Sequence, residues 1–72
     1  MNKHILTVID NQLNPGKYTQ KQLEENAATA ADAYAAYAFY ADAASYWLKR
    51  YFERTGENKQ DYIDAINKDN KQ

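Results

Sequence analysis

Side chains able to do chemistry are few and scattered in this sequence. His4 is the single histidine and cysteine is absent, so neither a zinc site nor a catalytic triad can be built around it. Ser45 lies in a helical stretch, where a hydroxyl commonly bonds back to a preceding carbonyl. Asp32 and Asp42 would need a cleft to act as an acid and base pair, and a lone helix offers none. We therefore predict that the protein is not an enzyme and needs no metal or cofactor.

The aromatic residues are the more informative set. Tyr37, Tyr40 and Trp47, together with Lys49 or Arg50, would suit the stacking of a nucleobase at an interface between chains. Packing explains the same residues equally well, because aromatic stripes at helical spacing are more often core than ligand site. A small nucleotide ligand therefore remains an alternative and not the leading hypothesis.

Charge and hydropathy exclude several classes of function. The net charge is −1, which gives neither the basic face of a nucleic-acid binder nor the acidic excess of a DNA mimic, so we expect no direct nucleic-acid binding. Asp32 and Asp42 would each cost ~2.5–3.5 kcal/mol near a bilayer centre, and we expect no membrane span. No secretory signal can be read at the start of the chain, so the expected location is the cytoplasm.

Capping residues divide the chain into three predicted helices. Asn2 is a candidate N-cap, and Pro15 with Gly16 should end the first helix. Thr19 and Gln22 form a capping box, and the next helix-ending signal is Gly56. The predicted helices cover residues 3–13, 20–54 and 59–67. The predicted fold is therefore all-α: a single helical domain over 1–72, hairpin-like, with one long central helix and two short flanking ones.

The long helix carries an apolar arc that two short helices cannot cover. A chain of 72 residues without disulfides has a marginal core, and association is the remaining way to stabilise it. We therefore predict a homo-oligomer. In the predicted long helix, Ala35 lies on the polar side. The predicted oligomer seam consists of Tyr34, Tyr37, Ala38, Ala41 and Leu48.

Two aromatic residues interrupt the charged side of the same predicted helix. Phe39 and Tyr46 are seven residues apart, which places them two turns apart on one face. Because interface hot spots are enriched in tyrosine and arginine, this face is the predicted site for another protein. Its predicted contact residues are Phe39, Asp42, Tyr46, Lys49, Arg50 and Glu53.

Part of the sequence resembles a known group of proteins in composition. The resemblance lies in the stretch 27–48 and in the ending Tyr46-Trp47-Leu48, Tyr51-Phe52 and Thr55-Gly56-Glu57-Asn58. These are the small alanine-, tyrosine- and aspartate-rich helical early proteins of tailed bacteriophages, and about half the chain shares their style. The resemblance implies host takeover or anti-defence activity. The target would be a host factor such as a CRISPR–Cas, restriction or cyclic-nucleotide signalling component, in the cytoplasm of an infected bacterium.

Three hypotheses about function follow. The leading one is a phage-type inhibitor that binds a host protein, often of a defence system, through its long helix. The second is an oligomeric sponge that sequesters a small signalling nucleotide between chains. The third is a structural or assembly protein made of helices.

Overall fold

The computed structural model describes residues 1–39 and 43–70, and every regular element within them is a helix. The all-α prediction is confirmed, but these residues form five helices and not three. In chain order the helices are α1 (Lys3–Leu13), α2 (Gln20–Thr29), α3 (Ala33–Tyr37), α4 (Ala44–Thr55) and α5 (Lys59–Asn70).

Local capping chemistry accounts for the ends of α1 and the start of α2. The Asn2 side chain accepts hydrogen bonds from the backbone amides of His4 (2.8 Å) and Ile5 (3.2 Å), and α1 has the predicted bounds. Thr19 and Gln22 form the predicted reciprocal capping box at the start of α2. Between the two helices, Gly16 adopts a φ of 89°, a left-handed conformation that glycine adopts without a steric penalty.

The prediction of one continuous helix over 20–54 is wrong. The chain leaves helical geometry at Ala30, whose ψ is 120°. The Asp32 carboxylate then accepts a hydrogen bond from the Tyr34 amide at 2.9 Å and starts α3 as its N-cap. Asp32 is therefore the residue that begins a new helix.

The predicted helix is interrupted a second time between Tyr37 and Ala44, because α4 packs against α3. In a straight helix Tyr34 and Trp47 would lie about 20 Å apart along the axis. Their ring centroids are instead 5.3 Å apart, which requires α4 to return alongside α3. The burial of side chains between α3 and α4 therefore outweighs the high helix propensity of the alanine-rich sequence, because propensity is the weaker effect.

The helix α5 packs on α1 and continues to Asn70, beyond the predicted end at 67. The two helices predicted to flank a long central one therefore pack on each other. The shared core draws on four of the five helices and contains Ile5, Val8, Ile9, Ala35, Ala38, Leu48, Tyr51, Tyr62 and Ile66. The helix α2 contributes no fully buried residue, and its apolar residues Leu23 and Ala27 are partly buried.

Candidate protein-binding site

Four aromatic rings from α3 and α4 form one cluster at the surface. Trp47 is its centre, with centroid distances of 5.3 Å to Tyr34, 4.8 Å to Tyr37 and 5.1 Å to Tyr46. Tyr37 and Tyr46 remain 45% and 55% exposed. Such tilted and edge-on pairs stabilise one another beyond their buried area, so the exposed rings are held in place by the partly buried tryptophan.

Arginine side chains border this cluster on α4. Arg50 lies one turn after Tyr46, donates a hydrogen bond to its hydroxyl at 3.3 Å, and places its guanidinium carbon 5.8 Å from the ring centroid. Lys49 is exposed beside it. We name the group Tyr34, Tyr37, Tyr46, Trp47, Lys49 and Arg50 the aromatic–cation surface.

Arg54 has a different role from Arg50. It forms a salt bridge with Asp32, and its guanidinium carbon lies 4.8 Å from the Tyr34 centroid and 5.7 Å from that of Tyr51. It therefore ties α4 to the break before α3, and its charge is already paired. Arg50 is exposed and forms no salt bridge within the described residues.

A groove runs between α2 and α3, next to the aromatic–cation surface. It is open to solvent and has a volume of about 410 Å³. Its lining is mostly apolar and includes Leu23, Ala27, Ala36 and Tyr37. The polar side chains along it are Gln20 and Glu24. We name this feature the α2–α3 groove.

The predicted partner-binding residues are only partly brought together. Tyr46, Lys49, Arg50 and Glu53 are exposed on α4. Phe39 is half-buried and packs against the core. Because α3 ends before Phe39, this residue and Tyr46 do not share the face of one continuous helix. Asp42 lies outside the described residues.

The predicted oligomer seam needs a similar correction. Ala38 and Leu48 are 1% and 3% exposed within the single chain, so they are core residues and cannot form a seam. Tyr34 and Tyr37 belong to the aromatic–cation surface, while Ala41 and the flanking Tyr40 lie outside the described residues. Ala35, predicted on the polar side, is fully buried, since the α3–α4 packing rotates it into the core.

Sequence reasoning missed two polar networks that hold the fold together. Asp10 is 6% exposed and accepts hydrogen bonds from Lys17 (2.6 Å), Tyr18 (2.7 Å) and Asn14 (2.8 Å). Burial alone would raise the pKa of Asp10, but these hydrogen bonds outweigh it and lower the pKa. Burial and the bond to Asp10 raise the pKa of Tyr18 to about 12. In the sequence, this network is indicated only by an aspartate on the apolar face of α1 and by the polar loop that follows the helix.

The second network joins the α4–α5 loop to the start of α1. Glu57 accepts hydrogen bonds from the hydroxyls of Tyr62 and Tyr51, the latter at 2.9 Å. The Tyr62 hydroxyl also accepts a bond from the Asn2 amide at 3.0 Å. The hydrogen bond from Tyr62 lowers the pKa of Glu57, while burial raises the pKa values of both tyrosines. These hydrogen bonds fasten the α4–α5 loop to α5 and to the residue that caps α1.

These two carboxylates predict that stability falls in acid. Their pKa values are lowered from 3.8 for Asp10 and 4.5 for Glu57. The stabilisation is therefore complete above those values and is lost as the pH falls through the folded-state values. We expect the melting temperature to be flat from pH 7 to about 5 and then to decline. The double variant Asp10→Asn with Glu57→Gln should melt lower at pH 7 but depend less on pH. Parallel acid curves for the two proteins would contradict this assignment.

The remaining candidates for chemistry are separate from one another. His4 is half-buried on α1, with Nδ1 making no hydrogen bond to the described residues, and Ser45 is exposed on α4. Among residues 1–39 and 43–70, no three histidine or acidic side chains converge as metal ligands. No helix in this part of the chain has the length and hydropathy needed to cross a membrane. Comparisons of the chain with protein-family models, curated proteins and solved structures give no significant match.

Proposed function

We propose that this protein acts by binding another protein through its aromatic–cation surface, and that the bound protein is a host factor whose activity is blocked. The observation that carries the proposal is the exposure of Tyr37 and Tyr46 on either side of Trp47, with Arg50 beside them. The resemblance to phage-encoded proteins supplies the expectation of a bacterial host, its cytoplasm and its defence systems.

The composition of the surface supports contact with a protein. Tryptophan, tyrosine and arginine are the residue types enriched among interface hot spots. Tyr37 and Tyr46 are already packed on Trp47, so fewer rotamers need to be frozen when a partner binds. A lower ordering cost leaves more of the contact energy for affinity.

The nucleotide alternative receives less support from the same geometry. The rings of Tyr34 and Tyr37 tilt by 45° and 49° against Trp47 and contact it directly, so a base could not stack between them and the indole. The described residues that line the α2–α3 groove include a carboxylate, Glu24, and no cation, so a phosphate there would meet like charge. Inhibition by protein contact is therefore the function that we favour.

A double variant tests the proposal. Tyr46→Ala with Arg50→Ala removes one exposed ring and the neighbouring guanidinium without touching the core. The tagged wild-type chain is used to capture its target from a bacterial lysate, the target is identified by mass spectrometry, and its affinity for both chains is measured by calorimetry. A hot-spot truncation costs ~2 kcal/mol or more, and the effects of two contacting residues are not additive, so we expect the double variant to weaken binding at least about thirtyfold.

The matched control is Asn67→Ala with Lys68→Ala, two exposed positions on α5, which should bind like wild type. Circular dichroism should show all three chains equally helical. A folded double variant that retains full affinity would place the functional surface elsewhere. Capture of nothing but copies of the chain itself would instead indicate an assembly protein.

A further inference from the structure

Two surfaces of the chain lack a covering element among the described residues, and they are adjacent. One is the α2–α3 groove, whose α2 wall contains no buried residue. The other is the aromatic–cation surface, with Tyr46 55% exposed. Tyr37 belongs to both, since it lines the groove and packs on Trp47.

The two surfaces are complementary in charge. The groove has a mostly apolar lining, with the carboxylate of Glu24 along it. The aromatic–cation surface projects a tyrosine ring, with Arg50 and Lys49 next to it. A tyrosine seated in the groove would bury its ring against Leu23 and Ala27, and Arg50 would then approach Glu24. The net charge of −1 adds little repulsion between two copies.

We propose that a second copy of this chain occupies the groove, in a two-fold dimer whose axis passes beside Tyr37. In a two-fold interface each surface of one copy meets the complementary surface of the other. Because Tyr37 lies where the groove and the aromatic–cation surface meet, rotation about an axis there brings Tyr46 and Arg50 of each copy onto the α2–α3 groove of its partner. The contact closes on itself, so it yields a dimer and not a filament.

This dimer does not depend on the proposed target and is tested without one. It buries the same aromatic–cation surface that we assign to target binding. A second copy and a target should therefore compete, and binding of the target should release monomers. The dimer also supplies the stabilisation that a core of this size lacks.

Charge reversal across the proposed interface is the decisive experiment. Glu24→Arg and Arg50→Glu each place like charges opposite one another, whereas the double variant restores an opposite pair in swapped positions. Sedimentation equilibrium of the full chain should show wild type at twice 8.3 kDa at micromolar concentration. Each single variant should dissociate at least about tenfold more readily, and the double variant should return to within about threefold of wild type.

The control is Glu25→Arg, an exposed neighbour that does not line the groove, and its dimer should be unchanged. Both exchanged residues are exposed, so circular dichroism should show normal folding throughout. A wild-type monomer at every concentration overturns the proposal and assigns the groove to another class of partner. Single variants that dimerise like wild type, a double variant without recovery, or an equal effect of Glu25→Arg also overturn it.

Discussion

Replacement of Ala35 by glutamate should unfold the protein. Ala35 is fully buried where α3 meets the core, and burying an unpaired carboxylate costs several kcal/mol. The whole stability of a domain of 72 residues is roughly 4–11 kcal/mol, and α2 adds no buried residue to this core. We expect Ala35→Glu to lose most of its helical circular dichroism at 25 °C.

Ala33→Glu is the matched control for this substitution. Ala33 is exposed at the first position of the same short helix, where a negative charge is favourable, so the variant should melt close to wild type. The continuous helix predicted from the sequence places Ala35 on the polar side and makes the opposite prediction. A folded Ala35→Glu protein would therefore favour that helix over the α3–α4 packing.

Loss of the Trp47 ring should destabilise the protein nearly as much. Trp47 lies on α4 and packs against Tyr34 and Tyr37 of α3 and against Tyr46 of its own helix, so it joins the two helices. Truncation of a packed tryptophan costs ~3–5 kcal/mol. We expect Trp47→Ala to lower the free energy of unfolding by about 3 kcal/mol, because the residue is only partly buried.

Urea denaturation followed by circular dichroism measures this loss, and Trp47→Phe is the control. Phenylalanine keeps an aromatic ring against the tyrosines, so its loss of stability should be clearly smaller. The comparison also separates folding from function, since Trp47→Phe should remain folded while presenting a narrower aromatic surface. If alanine and phenylalanine are equally well tolerated, Trp47 does not organise the cluster.

The candidate site was predictable only where it depends on spacing within one helix. Tyr46 and Arg50 are four residues apart, and their contact follows from helical geometry wherever the helix lies. Phe39 was joined to them by a helical phase that does not continue from α3 to α4. Tyr34 and Tyr37 reach Trp47 only because the chain folds back between them, and no local pattern encodes that return.

The sequence by itself determined the helical class, both ends of α1, the starts of α2 and α5, and the end of α4 to within one residue. Asn2, the Thr19–Gln22 capping box and Gly56 act on backbone groups within one turn, so their effect does not depend on distant residues. Only the tertiary structure decided that the alanine-rich stretch breaks near Asp32. Alanine favours a helix on either side of that point, and the break is stabilised by the burial of Ala35 and Ala38 and by the salt bridge from Arg54 to Asp32. These interactions join residues far apart in sequence, so they form only after the chain has folded back.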